Sequence, residues 1–262
     1  MNTSNSYRAA GIPILVAAIM VVSACATSPT GRSQLKLVSD SQMAEMGAQA
    51  FAQMRQQQTV SRDARINSYV RCVTDAITRT LDSPYKWQVE VFQDDSANAF
   101  ALPGGHIGVH TGLLAVAQDQ HQLAAVIGHE IAHVMAEHSA AQVSNQLATQ
   151  LGVQALAGMS GVSPEIIGMG ANLLLVMPYG RRDESEADAI GLQYMAEAGF
   201  DPRAAVALWH NMAAQSGGGR SAEFLSTHPA PATRIRDLEQ LMPQALPAFQ
   251  QAQARGVRPA CR

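Results

Sequence analysis

Charge and aromatic side chains are both scarce in this sequence: Asp, Glu, Lys and Arg make up 15% of it, and Phe, Trp and Tyr only 5%. The formal net charge is -3, and no Lys/Arg-rich run is interleaved with aromatics, so the electrostatic footprint that a phosphate backbone demands is missing. No nucleic-acid partner is expected. Long apolar runs are lacking too. "GIPILVAAIMVV" (Gly11 to Val22) rises only about 18 Å as a helix, against the roughly 30 Å of a bilayer core. A second apolar stretch, Leu151 to Met177, is interrupted by Pro164, Glu165 and Asn172, and reads as two buried helices, or helices lining a cleft, rather than a span. Cysteine is rare, with three in 262 residues, and neither repeats nor low-complexity segments occur.

What remains is 47% hydrophobic, enough for one sizeable core. The first twenty-odd residues form a secretory signal, with Arg8 ahead of the apolar run and small residues after it. "VSAC" (Val22 to Cys25) resembles the bacterial lipobox, which makes Cys25 the site of lipid anchoring and residues 1–24 a lipoprotein signal peptide. The same letters contain an A-x-A site, and cleavage after Ala26 would instead release a soluble protein. With Cys25 lipidated, Cys72 and Cys261 are left as an even pair in an oxidising compartment and are expected to be disulfide-bonded, the alternative being two free thiols.

Residues 25–40 read as a polar linker, and residues 41–262 as a single domain. Helical periodicity covers Ser41 to Gln57 and Arg62 to Leu81, with Asp40 and Ser61 as caps. "KWQVEVF" (Lys86 to Phe92) alternates as a strand does, and Asn98 to His110 reads as two short strands broken at Pro103-Gly104-Gly105. Helices are then expected at Asp119 to His138, Ala141 to Gly158, Pro164 to Val176, Arg181 to Gly199, Pro202 to Gln215 and Pro231 to Met242, with a joint at Gly217 to Gly219. The expected class is α+β, mostly helical, with a small sheet.

"GHEIAHVMAEH" (Gly128 to His138) carries the chemistry. His129 and His133, four apart on a helix, place both imidazoles on one face about 6 Å apart along the axis, able to converge on one cation. Glu130 sits at the edge of that face. A zinc hydrolase needs a third protein ligand and an open fourth position. If the helix continues, His138 points about 180° from His129, which makes it a bystander, and Glu137 lies roughly 12 Å further along the axis. In "GRRDESEADAIG" (Gly180 to Gly191), Glu184 and Asp188 are again four apart. Glu184 is the third-ligand candidate, Asp188 the acceptor for a ligand's free ring N–H, and Glu186 a residue pointing off that face.

"HEIAH", "RRDESEAD", "STHPAPATR" (Ser226 to Arg234) and "NAFALPGGHIGVHTGLL" (Asn98 to Leu114) together resemble the CAAX-prenyl-protease and HtpX-type zinc metallopeptidases, metallopeptidase family forty-eight. The lipobox makes the chain most similar to the periplasmic lipoprotein members of the LoiP and BepA type, without a tetratricopeptide extension. The resemblance implies a gluzincin-type domain that binds one zinc ion per subunit through His129, His133 and Glu184, with Glu130 as catalytic acid/base. It adds His228, which would either stabilise the transition state or occupy the metal's open position at rest. From the residues alone, His228 is a turn residue before Pro229. Arg181 and Arg234 match family arginines that form structural ion pairs. The edge near Asn98, Ala99, Phe100 and Ala101 is expected to bind substrate by strand addition. The implied role is cleavage of unfolded or misassembled envelope proteins in the periplasm, at the inner leaflet of a Gram-negative outer membrane. The rival readings are an outer-membrane assembly chaperone with gated proteolysis, and a metal-free structural lipoprotein.

Overall fold

The computed structural model describes residues 25–156, 174, 178–216, 224–228 and 233–262. The signal peptide, the helix from Pro164 to Val176, the Gly217 to Gly219 joint and the Ala230-Pro231 helix start therefore lie outside the described residues, apart from Leu174.

The described residues begin with a hairpin, β1 (Cys25–Thr27) and β2 (Ser33–Leu35), paired antiparallel around a turn with Gly31 at φ 89°. The stretch that reads as a linker is thus ordered, because its polar side chains find partners on the domain rather than water.

Helix α1 (Asp40–Gln57) is capped by Ser39, not Asp40. Ser39 Oγ accepts from Gln42 N, and Gln42 Oε1 accepts in return from Ser39 N, a reciprocal box that satisfies two otherwise orphaned donors. Helix α2 (Ala64–Thr78) is capped two residues later than expected, by Asp63 Oδ1 rather than Ser61. Its buried stripe, Val70, Val73, Thr74 and Ile77, faces the core.

Three strands follow: β3 (Gln88–Phe92), β4 (Ala99–Leu102) and β5 (His106–His110). Their order is β3-β5-β4, with β3 parallel and β4 antiparallel to β5, which leaves β4 at one edge. The β4–β5 reversal uses Gly104 and Gly105 at φ 91° and 88°, a region that side chains rarely adopt.

Beyond a short α3 (Leu113–Val116), helix α4 (Gln120–Met135) runs through the centre and is buried from Gln122 to Val134. Asp119 Oδ1 caps it by accepting from the His121 and Gln122 amides. Around it lie α5 (His138–Leu156), α6 (Arg181–Glu197), α7 (Ala204–Ser216), α8 (Phe224–Thr227) and α9 (Arg234–Ala254). Helix α7 starts two residues past Pro202, after a turn closed by Ala204 N on Asp201 O.

Helix α9 continues well past Met242, through Pro243 and Pro247. Proline normally disrupts a helix interior. Here Leu238, Ala245 and Ala252, seven apart, keep one face buried along the whole length, and that packing outweighs the local penalty.

The fold is therefore α+β and mostly helical, and no strand follows His110 among the described residues. No helix among them is long and apolar enough to cross a membrane.

Candidate metal centre and catalytic cleft

Two glycines bring the site together. A Cβ on Gly191 would lie 2.8 Å from His129 N, and one on Gly128 2.9 Å from Gly191 O. Helices α4 and α6 therefore cross with their backbones in contact, and glycine's helix cost of about 1 kcal/mol per residue is offset by that approach. The crossing sets His129 and His133 of α4 directly against Glu184 and Asp188 of α6.

His129, His133, Glu184 and His228 each contribute a donor atom, and all four atoms lie within 4.8 Å of one another in a buried cluster. His129 Nε2 is 3.0 Å from His133 Nε2 and 3.3 Å from His228 Nδ1. Glu184 Oε1 is 3.0 Å from His228 Nδ1 and 3.4 Å from His133 Nε2, and Glu184 Oε2 is 3.5 Å from His129 Nε2. Four donors bonded tetrahedrally at about 2.0–2.1 Å would be spaced roughly 3.3 Å apart. The cluster already has the dimensions of a cage for one cation.

The electrostatics agree. Burial works against charge on His129, yet the Asp188 and Glu184 carboxylates overcome it and push that ring up to about 9. His133 is driven well below the ordinary histidine range, by burial first. Burial also opposes ionisation of Glu184, but the three histidines hold it far below the usual carboxylate range.

Two of these donors, His129 and Glu184, are braced from behind. Asp188 Oδ1 lies 3.0 Å from His129 Nδ1, the contact expected of a ligand's free ring nitrogen. Arg234, 3% exposed, bridges Glu184 Oε2 and Asp188 Oδ1 at 2.6 Å each and stacks 4.1 Å over Trp209. Arg234 is thus the ion-pairing arginine expected, whereas Arg181 sits exposed at the start of α6.

His138 is not the bystander that a continuous helix would make it. Helix α4 stops at Met135, Glu137 adopts φ 57°, and α5 starts at His138, so the chain turns back. His138 is fully buried, with Nδ1 2.9 Å from His133 Nδ1 and Nε2 3.2 Å from Glu186 Oε2. Glu186, expected off the Glu184/Asp188 face as a salt-bridge or surface residue, is buried and ion-paired with Arg32. Burial resists its ionisation, but hydrogen bonds from Ser28, Thr30 and His138 and the charge of Arg32 hold it at about 2. Nothing in the sequence marks Glu137 for a left-handed backbone, which is why helix geometry misplaces His138.

Beside the cage a cleft of about 170 Å³ is lined by Asn98, Ala99, Phe100, Ala101, Glu130 and His228, among others. Glu130 Oε2 accepts from Ala101 N on β4 at 3.1 Å. Among the described residues its Oε1 has no hydrogen-bond partner, and it lies 3.3 Å from His228 Nε2. Burial raises the Glu130 pKa. Tyr179, which no periodicity singles out, stacks on His133 with ring centres 3.8 Å apart and hydrogen-bonds Ser139 through its hydroxyl. Away from the site, Cys72 and Cys261 form a disulfide in the structure, with Cα atoms 5.6 Å apart. Cys25 opens β1.

Compared with known protein families, residues 60–242 match Peptidase family M48. The chain belongs to this family. Among curated proteins, this M48 chain is 40% identical to the mitochondrial metalloendopeptidase OMA1 of Schizosaccharomyces pombe over 164 residues, 62% of this chain and 49% of that protein. It is 34% identical to OMA1 of Bos taurus over 238 residues, covering 83% and 46%. It is also 30% identical to the beta-barrel assembly-enhancing protease of Yersinia pestis over 215 residues, covering 76% and 43%. The chain spans about half the length of these relatives. The M48 match takes in both helices of the cage, the β4 edge and His228.

Proposed function

We propose that this chain is a zinc-dependent endopeptidase of the bacterial cell envelope that cleaves unfolded or misassembled proteins. The observation that carries the reading is the buried cage of three imidazole nitrogens and one carboxylate, beside a Glu130 oxygen that has no hydrogen-bond partner among the described residues. That donor set suits zinc, with His129, His133 and Glu184 as the ligands. When bound, zinc supplies a Lewis acid that polarises the scissile carbonyl and makes water easier to deprotonate. Glu130 Oε1 takes the proton from the attacking water and returns it to the leaving amine. Meanwhile the Ala101 amide fixes its other oxygen.

Substrate lies along the outer edge of β4, where strand addition recognises backbone and so tolerates many sequences. That suits unfolded clients. The lipobox-like segment ending at Cys25 supports a lipid-anchored protein facing the periplasm, and the beta-barrel assembly-enhancing relatives support an envelope role. The similarity to mitochondrial OMA1 supports the peptidase chemistry but not the location.

One observation favours a second reading. His228 Nδ1 lies among the cage donors, 3.3 Å from His129 Nε2 and 3.0 Å from Glu184 Oε1, where it would compete with water and substrate for a bound cation. Such competition is compatible with an assembly factor for outer-membrane proteins whose proteolysis is gated. The deciding experiment measures zinc content and digestion of an unfolded protein in wild type and Glu130→Gln, alongside rescue of envelope assembly. Zinc in both proteins, cleavage by wild type alone and rescue by wild type alone support the protease. Rescue by Glu130→Gln supports the assembly factor, and full cleavage by Glu130→Gln refutes the mechanism.

A further inference from the structure

The metal ligand His133 is connected to the N-terminal hairpin by an unbroken set of polar contacts. His133 Nδ1 meets His138 Nδ1 at 2.9 Å, and His138 Nε2 meets Glu186 Oε2 at 3.2 Å. Glu186 Oε1 accepts from both Ser28 Oγ and Thr30 Oγ1, in the turn between β1 and β2. Arg32 on the same turn pairs with Glu186 at 2.8 Å and with Asp183 at 2.7 Å. The hairpin also holds the corner that delivers His138. Gln34 Nε2 donates to Ala136 O at 2.8 Å, and Lys36 Nζ lies 2.8 Å from Glu137 Oε1. Glu137 is the left-handed residue of that corner, a conformation that costs a non-glycine residue about 1–2 kcal/mol and needs surroundings that impose it.

Only one arrangement of protons satisfies these contacts while leaving His133 free to bind a cation. An ionised carboxylate only accepts, so Glu186 requires a proton on His138 Nε2. Neutral His138 then accepts at Nδ1, which requires a proton on His133 Nδ1. The lone pair of His133 is thereby left on Nε2, the atom that faces His129 and Glu184. Ser28, Thr30 and Arg32 contribute nothing that binds metal. They hold the Glu186 carboxylate in place.

We propose that the β1–β2 hairpin is a positioning clamp for the metal site, fixing the ring orientation and tautomer of His133 through Glu186 and His138. Ser28, Thr30, Arg32, Glu186 and His138 are positioning residues, because none of them is a donor in the cage. The hairpin starts at Cys25, so whatever holds the N-terminus of the domain is connected to the metal site.

The inference rests on the cage being a zinc site, and zinc affinity separates the two. The test titrates the full metal-stripped chain with zinc against a chromophoric chelator, and records far-UV circular dichroism of each variant. His138→Gln and Glu186→Gln are expected to bind zinc at least about 10-fold more weakly, the range seen when such supporting contacts are removed. The Ser28→Ala/Thr30→Ala double variant, altered only in the hairpin turn, is expected to weaken binding in the same direction while keeping the wild-type spectrum. It also covers the case in which His138→Gln fails to fold. A purely structural hairpin lowers the melting temperature of the metal-free chain and leaves zinc affinity unchanged. Wild-type affinity within twofold in the double variant and in Glu186→Gln therefore overturns the clamp. A wild-type chain that takes up no zinc overturns the reading of the site, and the clamp with it.

Discussion

Replacing Gly191 by Ala tests the link between helix crossing and metal binding. In an isolated helix the change stabilises by about 1 kcal/mol. Here the new methyl would sit 2.8 Å from His129 N, 2.9 Å from Gly128 C and 2.9 Å from His129 Cα, all backbone atoms that no rotamer change can move aside. Restoring ordinary contact at 3.4 Å requires α4 and α6 to separate by about 0.6 Å locally. Overpacking against backbone costs up to about 3 kcal/mol, so the net effect is a loss near 2 kcal/mol, or a melting temperature lower by about 4–8 °C in a domain this size. The cage suffers more. Its closest donor spacings run from 3.0 to 3.5 Å within a cluster no wider than 4.8 Å, while metal–ligand distances tolerate only about ±0.2 Å, so zinc affinity falls at least tenfold. Thermal unfolding of the metal-free chain and a zinc titration measure the two effects. A Gly191→Ala variant that is more stable than wild type and binds zinc equally well refutes the reasoning.

Other outcomes follow from the same contacts. Arg234→Met leaves Glu184 and Asp188 facing each other without their shared cation. It should destabilise the metal-free chain by about 3 kcal/mol in denaturant unfolding, with part of the loss restored by zinc. Chelation should lower the melting temperature of purified protein and stoichiometric zinc should restore it, because only the folded chain assembles the four donors. Cys72→Ser should cost up to about 5 kcal/mol, given the sequence separation of 189 between the bonded cysteines, and intact-mass measurement should show native protein two hydrogens lighter than reduced.

The sequence made the site legible where the chemistry is local. Spacing of four on a helix pairs His129 with His133 and Glu184 with Asp188, and the structure assembles both pairs at one cage. The strand break at Pro103-Gly104-Gly105 is equally local, since the β4–β5 turn needs positive φ. What was illegible depends on contacts distant in sequence. Ser39 and Asp63 take the caps from Asp40 and Ser61 through side-chain geometry that differs by one or two residues. The prolines of α9 are tolerated only because its buried face packs on the rest of the chain. Helix periodicity alone misplaces His138, because the break at Glu137 is held by Gln34 and Lys36, about a hundred residues earlier. The β1–β2 hairpin read as a linker because its Ser, Thr and Arg have no local pattern, and their partner Glu186 lies over 150 residues away. His228 entered only through family resemblance, since nothing near Phe224–Thr227 announces a donor.

Crystals grown with zinc and measured on either side of its absorption edge test the central claim most directly. The account predicts one anomalous peak per chain, enclosed by His129 Nε2, His133 Nε2 and Glu184, with His228 beside it. Zinc bound elsewhere with the cage left empty, or no peak in protein that digests an unfolded substrate, contradicts it.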